Sequence, residues 1–438
     1  MSAPDELLEA ARGAVAAARA QGAREAAAVT ARTREVEVEW RDGRLEKIRE
    51  ATTRSLSLRL YVDGRYVAVS TSDLRPDAVQ RFIGGAVSMA RTLSPDPHRC
   101  LPDPARYEAI DLRIDDPGQE GLAAIDRRRR AEALEAASRE VKGSIQSVTS
   151  RIGDNRTELA RVHSNGFEGA RRETSFWMSA EVSVKDPDGR RPMESASRTA
   201  RHLADLPPIA EIGHLAGDLA LGRLGAKKLP SAVLPMVVEN RVAAGLVSRL
   251  LGPLSGAALQ QKRSVFEGKL GATIGSAILD VADDPLIPKG LGSRLFDGEG
   301  LAARRFPLFE RGVLRGYYVD HYYGKKLGTP ATTAGPSNLA FTLGDKDGAG
   351  LIAGLDDAIL VTGFLGGNSN ATTGDFSLGV SGFRIRKGAR AEPISEMNIA
   401  GNHLELWKRL VAAGNDPYLS SALRPPTLLF DAVQFAGA

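Results

Sequence analysis

Residues 35–43 read Glu-Val-Glu-Val-Glu-Trp-Arg-Asp-Gly, and this stretch indicates the kind of fold that the chain adopts at its N-terminal end. Its apolar residues Val36, Val38 and Trp40 alternate with glutamates, as expected of a strand with one buried face. The Asp-Gly pair that closes the stretch tolerates the positive φ angles of a tight turn. The pattern therefore predicts a strand that turns back on itself in an antiparallel hairpin.

The same signals recur on both sides of this stretch. Leu56, Leu58 and Leu60 alternate before a second Asp-Gly pair at residues 63–64, which predicts another hairpin. Apolar residues at helical spacing and turn residues divide the surrounding chain. The predicted segments are helices over residues 5–21 and 74–92, an α+β subdomain over residues 1–93 and a proline-rich linker over residues 94–118.

A second block of helix and strand follows the linker. Turn signals at Asn165-Gly166 and Asp188-Gly189 separate runs of alternating residues, which predicts antiparallel strands between two helices. We interpret this block as a second α+β subdomain over residues 119–226. Its predicted elements are helices over residues 119–141 and 207–224 and strands near residues 145–152, 156–163, 173–185 and 190–200.

Glycine usage changes in the last part of the chain. Residues 1–228 contain 17 glycines, whereas the shorter stretch of residues 229–438 contains 29. Dense glycine among short apolar runs predicts a strand-dominated domain with tight turns over residues 229–438, with helices at about 240–252 and 402–413. The expected fold class is α+β: a mixed helix and antiparallel-sheet N-terminal region followed by a glycine-rich, strand-dominated C-terminal domain.

Charge excludes one class of protein. The chain of 438 residues has a formal net charge of +4, and residues 1–228 hold 37 Lys and Arg against 35 Asp and Glu, while residues 229–438 hold 21 against 19. A dedicated nucleic-acid binder concentrates its basic residues, so no nucleic-acid partner is expected. We interpret the basic run at residues 127–130 as a solvated helix face with ion pairs.

Location and metal binding are constrained by a few residues. The acidic start of the chain has no apolar core behind it, and no apolar run approaches the roughly 18 residues of a membrane span. We therefore expect no signal peptide, no membrane partner and a cytoplasmic protein. Cys100 is the single cysteine, which excludes an intrachain disulfide, and its pairing with His98 in the predicted linker is not expected to bind a metal.

Several segments, in order along nearly the whole chain, resemble one family of proteins. The most specific are residues 290–300 (Gly-Leu-Gly-Ser-Arg-Leu-Phe-Asp-Gly-Glu-Gly), 164–169 (Ser-Asn-Gly-Phe-Glu-Gly), 373–377 (Thr-Gly-Asp-Phe-Ser) and 399–402 (Ile-Ala-Gly-Asn). Together they resemble the TldD/PmbA peptidase family. This resemblance implies two kinds of subunit, of which the TldD type carries a zinc-binding HExxxH motif on a helix and a further cysteine ligand late in the chain.

The zinc motif is degenerate in this sequence. Glu239 and Ala244 stand where the resemblance places the two histidines, and Asn240 stands in place of the glutamate that would activate a zinc-bound water. Alanine cannot bind zinc, and an asparagine amide cannot accept a proton near neutral pH. The late cysteine is missing as well. We therefore expect no metal, no cofactor and no catalytic residue in this chain.

The resemblance then implies a role beside a partner. The chain is similar to the TldE/PmbA type of subunit, which pairs with a TldD-type catalytic subunit that binds the zinc. The heterodimer would form a metallopeptidase for unfolded or short peptides, and this chain would be a pseudoenzyme subunit, inactive alone and able to form a homodimer. The alternative is a self-associating peptide-binding protein without hydrolytic activity, and a gyrase modulator is disfavoured by the even charge.

Five residues are candidates for contact with a peptide. Tyr318 and His321 belong to an aromatic run over residues 317–323, whose rings would line a cavity or, alternatively, pack into the core. The other candidates lie in glycine- and asparagine-rich segments, which would clamp an extended peptide or form ordinary turns. These are Asn338, Gly367 and Asn368. The acidic pairs at 283–284 and 356–357 are interpreted as turn residues.

Overall fold

The computed structural model describes residues 3–104 and 107–437. The fold is α+β, as the sequence predicts, and it contains three sheets. The first sheet and its helices occupy the N-terminal half. Their bounds are α1 (Ala3–Ala20), β1 (Glu25–Arg41), β2 (Arg44–Val62), β3 (Arg65–Thr71), α2 (Pro76–Thr92), α3 (Ala124–Glu140), β4 (Ile145–His163), β5 (Glu168–Val184), β6 (Met193–Ala200) and α4 (Ile209–Leu221).

One antiparallel sheet runs through the whole N-terminal half. Its strand order is β3-β2-β1-β4-β5-β6, so strand β1 pairs with β2 on one side and with β4 on the other. The predicted hairpins at residues 42–43 and 63–64 are both present, with positive φ angles at each Asp and Gly. The strands of the two predicted subdomains thus lie side by side in a single layer, joined by the pairing of β1 with β4.

Helices cover one face of this sheet in two groups. Ala26, Ala28, Val36 and Val38 of β1 have the same parity and therefore lie on the same face. The first two pack in a core with α1 and α2, and Val38 packs in a core with α3 and α4. Each helix pair buries its apolar stripe against one end of the long strands.

Strand β4 differs from the prediction of two strands. It runs without interruption through Gly153-Asp154-Asn155, which the sequence suggests as a break. The pairing with β1 and β5 continues through these three residues, and Asp154 forms a buried ion pair there: the guanidinium Nε of Arg127 lies 2.5 Å from Oδ2 of Asp154, and the two side chains are 2% and 1% exposed. Arg127 is therefore not on a solvated helix face, whereas its neighbour Arg128 forms the expected exposed pair with Glu132.

Residues 94–118 contain no strand among those described, but they are packed. Leu101, Leu112 and Ile114 are buried, and the main chain of this segment bonds to both halves of the molecule. Thr174 N–H donates to Ile114 O, and Lys289 N–H donates to Leu112 O. The segment therefore ties the N-terminal sheet to the C-terminal half.

The C-terminal half holds a five-stranded sheet of order β10-β9-β8-β11-β16 and a six-stranded sheet of order β14-β13-β12-β7-β17-β15. Its elements are β7 (Ala232–Val238), α5 (Asn240–Leu251), α6 (Gly256–Gln260), β8 (Val281–Asp283), β9 (Phe306–Glu310), β10 (Val313–Leu314), α7 (His321–Leu327), β11 (Leu339–Phe341), α8 (Gly348–Ala353), β12 (Asp357–Ser369), β13 (Asp375–Arg386), β14 (Ala389–Asn402), α9 (His403–Leu406), β15 (Leu410–Ala413), β16 (Leu423–Arg424) and β17 (Leu428–Ala436). Helix α5 packs in the core that these sheets share.

The helix predicted at about 402–413 is wrong. Only α9 and one short turn, Trp407–Arg409, are helical, and β15 follows as an edge strand paired with β17. Trp407 is fully buried with its ring 5.4 Å from that of Phe430. Packing against the sheet overrides the local helical pattern. No helix among the described residues is long and apolar enough to cross a membrane.

Candidate functional site

A cleft of about 460 Å³ opens where helix α5 begins. The central strand β7 is followed at once by Glu239, which has an extended backbone, and the next residue starts the helix. Ala243, Leu246, Val247 and Leu250 recur at helical spacing and bury one stripe of α5 in the core. The first residues of the helix are left facing the cleft, so the degenerate zinc-motif positions 239 and 240 lie at its wall.

Glu239 is held by arginines. Its Oε2 lies 2.5 Å from Nη2 of Arg241, and its Oε1 lies 3.9 Å from Nη2 of Arg390. The carboxylate is thus engaged in charge-assisted contacts with groups of its own chain.

Asn240 positions a loop. Its Nδ2 donates to the main-chain oxygen of Asp416 at 2.7 Å. The Asp416 carboxylate in turn accepts from Gly348 N–H, Thr427 N–H and Thr427 Oγ. Asn240 therefore fixes the end of the segment that closes one side of the cleft.

The donor set at the start of α5 does not suit a zinc ion. Ala244, at the second histidine position, offers only a methyl group, and Asn240 offers an amide already committed to Asp416. The guanidinium groups of Arg241 and Arg390 occupy the carboxylate of Glu239 and would repel a divalent cation. Across residues 3–104 and 107–437, no three His, Cys, Asp or Glu side chains gather as metal ligands. No step of chemistry can be derived through a metal here.

Two further residues of the cleft carry no signal in the sequence. Arg198, on strand β6 of the N-terminal sheet, lies with its guanidinium carbon 5.4 Å from the ring centroid of Tyr418. Tyr418 Oη donates to Ser197 O at 3.0 Å, which joins the two halves of the chain at the cleft. Single surface arginines do not stand out in a sequence, and only the folded arrangement brings these residues to α5.

Tyr318 is a core residue. It is buried, and its hydroxyl donates to Oδ2 of Asp283 at 2.9 Å. Asp283 also accepts from the backbone N–H and the hydroxyl of Ser337. Burial raises the pKa of both Tyr318 and Asp283. Asp283 ends strand β8 and is fully buried, so its interpretation as a turn residue is wrong.

Asn338 supports a loop from inside. It is 0% exposed, and its side-chain amide donates to Asp284 O and Ser293 Oγ while its oxygen accepts from Gly292 N–H. These bonds hold the glycine-rich segment 290–300 against strand β11. Asn338 therefore supports this segment and has no exposed surface that a peptide could contact.

His321 lies at a different place, at the start of α7. Its Nε2 is 3.3 Å from Sγ of Cys100, in the predicted linker, and its backbone N–H donates to Oε2 of Glu299 at 2.7 Å. Burial lowers the pKa of His321 and raises the pKa of Glu299 to about 7. The contact with Cys100 joins two segments that sequence reasoning treated separately.

Gly367 and Asn368 are exposed but do not form a loop. Both belong to strand β12, where they pair with Leu378 and Ser377 across an irregularity in the register. Gly367 has a φ of +110°, and a Cβ there would lie 2.2 Å from Ser377 O. Of the five predicted peptide-contact residues, Gly367 and Asn368 are neighbours on β12, far along the chain from the other three, and none of the five lines the cleft at α5.

Comparison with known proteins relates three long stretches of the chain to a single family. Models of the PmbA/TldA metallopeptidase domain 1, central domain and C-terminal domain match residues 26–90, 115–224 and 231–437. The metalloprotease PmbA of Escherichia coli O157:H7 is 28% identical over 413 residues, which cover 93% of this chain and 91% of that protein.

Two solved structures are similar to this chain over nearly its whole length. A protein of Bacteroides thetaiotaomicron, described as a candidate modulator of DNA gyrase, is 38% identical with a TM-score of 0.96 and covers 99% of both chains. The structure of TldE from Thermococcus kodakarensis has a TM-score of 0.86 at 22% identity, with 98% of this chain and 100% of that one covered. The second likeness concerns the fold alone.

Proposed function

Because this chain belongs to the PmbA/TldD metallopeptidase family, we propose that it is a TldE/PmbA-type subunit that leaves the chemistry to a zinc-bearing TldD-type partner. The two chains together form a peptidase for unfolded or short peptides. A peptidase role agrees with the similarity to the metalloprotease PmbA of Escherichia coli.

The observation that carries this proposal is the start of helix α5. A metallopeptidase needs three protein ligands around zinc and a base that activates the bound water. Here the helix presents Glu239 paired with Arg241, an amide at Asn240 that supports a neighbouring loop, and a methyl group at Ala244. These groups support the proposal because none of them can take the part of a zinc ligand together with a base.

The test combines purified chains. This chain, a TldD-type chain from the same organism, and their mixture are each incubated with an unstructured fluorogenic peptide. We expect cleavage by the mixture at a rate well above that of either chain alone, and co-elution of the two chains in size-exclusion chromatography. Elemental analysis should find stoichiometric zinc only in the TldD-type chain.

A control distinguishes the contribution of the TldD-type subunit to catalysis from its role in assembly. A TldD-type chain with Gln in place of the HExxxH glutamate should still co-elute but should give an inactive mixture. Cleavage by this chain alone, with a tightly bound zinc, would contradict the proposal. Peptide binding and self-association without any gain in cleavage on mixing would favour the alternative of a non-hydrolytic peptide-binding protein.

A further inference from the structure

We propose that the cleft at helix α5 binds the carboxylate at the C-terminal end of a peptide whose last side chain is apolar. The cleft belongs to this chain alone, so the proposal goes beyond the pairing with a TldD-type partner and does not depend on it. It rests on the arginines of the cleft, the state of its acidic groups and the nature of its walls.

Three guanidinium groups converge on the cleft from three elements. They belong to Arg198 of β6, Arg241 of α5 and Arg390 of β14. Arg241 is 14% exposed in its side chain, and its Nε is buried without a hydrogen-bond partner. Within the described part of the chain, Arg198 donates a hydrogen bond only to the main-chain oxygen of its neighbour Ser197. The buried Nε of Arg241 is out of reach of a ligand, whereas Arg198 and Arg390, whose side chain is 51% exposed, offer N–H donors to one.

The acidic groups of the cleft leave this excess in place. Asp416 is satisfied by three donors, from Gly348 and Thr427. Glu239 is the carboxylate that the arginines share. A carboxylate oxygen lies 2.5 Å from a guanidinium nitrogen of Arg241, whereas the distance to Arg390 is longer, at 3.9 Å. Three cations thus face two carboxylates, and the contact to Arg390 is long enough for an incoming carboxylate to replace it. The amino end of α5, which lacks a side-chain cap, adds partial positive charge.

The arginines, the apolar wall and the volume of the cleft together favour a carboxylate that is attached to an apolar side chain. Arginine binds carboxylates through two parallel N–H donors, which fixes the orientation of a planar group. Leu215, Ile352 and Leu360 form apolar wall next to the charged groups, and a volume of about 460 Å³ holds a terminal residue with its side chain. A peptide that ends in leucine offers both parts, a carboxylate for the arginines and an apolar side chain for the wall.

The test measures binding to this chain without a partner. An unstructured peptide with an N-terminal fluorophore is made in three forms: a C-terminal leucine acid, the leucine amide, and the amide with an internal glutamate. We expect the free acid to bind at least roughly tenfold more tightly than the amide, because charge-assisted hydrogen bonds are lost with the carboxylate. The internal glutamate should not restore binding.

Variants locate the binding site. Arg198→Gln and Arg390→Gln together should weaken binding of the free acid to the level of the amide. Arg386→Gln is the matched control, because Arg386 is an exposed arginine of the neighbouring strand β13 that pairs with Glu392 and does not line the cleft. Thermal melting of all variants checks folding, and for a variant that melts early the acid-to-amide ratio is measured at a lower temperature.

Four results would overturn the proposal. They are equal binding of acid and amide, rescue by the internal glutamate, unchanged binding in the double variant, and no binding of the free acid at millimolar peptide. None of them bears on whether this chain supports cleavage when it is mixed with a TldD-type partner. A failure of the cleft proposal is therefore distinguishable from a failure of the proposed function.

Discussion

Asp154 lies in the middle of strand β4 and forms a buried ion pair. Its carboxylate accepts two hydrogen bonds from Arg127, at 2.5 and 3.0 Å, and one from Gln119 at 2.6 Å. All three side chains are buried, in the region where helix α3 packs on the sheet. A buried charge that loses its partner is strongly destabilising because water does not replace it.

Replacement of Asp154 by asparagine should therefore lower the stability of the N-terminal half. For Asp154→Asn we expect the free energy of unfolding to fall by about 3–5 kcal/mol, since Arg127 stays buried and charged. Urea denaturation followed by circular dichroism measures this value. Glu132→Gln removes the partner of the adjacent Arg128 from an exposed pair and should cost less than about 1 kcal/mol. Similar losses in the two variants would contradict the role given to the buried pair.

Glu299 makes stability depend on pH. Burial raises the pKa of its carboxyl from 4.5 to about 7, so the folded chain binds this proton more tightly than the unfolded chain. The stabilisation from this group is complete below about pH 4.5 and is lost as the pH rises through 7. Glutamine is a neutral replacement whose oxygen can still accept the hydrogen bond from His321 N–H.

Glu299→Gln should therefore stabilise the chain increasingly as the pH rises from 4.5 to 7, and the gain should level off above pH 7. We expect a gain of about 2–3 kcal/mol at pH 8 relative to the native chain, and a gain of less than about 1 kcal/mol at pH 5. Urea midpoints of both proteins at the two pH values give the comparison. A gain of the same size at pH 5 and pH 8 would show that ionisation of Glu299 is not the cause.

At the scale of elements, the irregular end of strand β12 depends on glycine. Gly366 and Gly367 both have positive φ, at +92° and +110°, but only Gly367 lies against another backbone, that of Ser377 and Leu378 in β13. A Cβ at Gly366 would meet no atom within 4 Å. The two adjacent positions therefore separate the effect of conformation from the effect of a clash.

Alanine at these positions should give unequal results. Gly366→Ala carries only the strain of a positive φ, on the order of 1 kcal/mol. Gly367→Ala adds a clash with Ser377 O and should lower the free energy of unfolding by a further 1–3 kcal/mol or so. Hydrogen exchange of residues 376–380 should also rise in the second variant alone. Equal stabilities would mean that β12 shifts freely, as a loop would.

The elements that the sequence predicts well are those with local signals. The hairpins at residues 42–43 and 63–64 follow from Asp-Gly pairs, and α5 follows from apolar residues three and four positions apart. The secondary-structure predictions fail where contacts between residues far apart in the sequence determine the local structure. Residues 410–413 form a strand because β17 accepts them as an edge partner, and residues 145–163 stay extended because β1 and β5 pair with them on both sides.

For the whole molecule, the pairing of β1 with β4 is the feature that sequence reasoning misses. Ala27 of β1 pairs with His163, and no local pattern indicates such a distant partner. The candidate site shows the same limit. Positions 239, 240 and 244 could be found from the degenerate motif, whereas Arg198 reaches the cleft only because the N-terminal sheet packs against the C-terminal half.

Arg201 makes one of the contacts that join these halves. It follows strand β6, is 7% exposed, and donates to Gly290 O, Leu291 O and Thr174 O at 3.3, 2.7 and 3.1 Å. Its Nη2 also lies 3.4 Å from the carboxylate of Glu173. One side chain thus serves acceptors from β5 and from the glycine-rich segment 290–300.

Loss of this guanidinium should loosen the junction. For Arg201→Gln we expect a loss of about 2–4 kcal/mol, because buried carbonyls and Glu173 lose a charged donor, and faster hydrogen exchange at residues 286–294. Lys289→Gln is the matched control at the same junction, since its pair with Asp205 is partly exposed and should be worth less than about 1 kcal/mol. Hydrogen exchange with mass spectrometry measures both variants. Unchanged exchange at residues 286–294 in Arg201→Gln would mean that the halves are held together by their apolar contacts, with the arginine adding little.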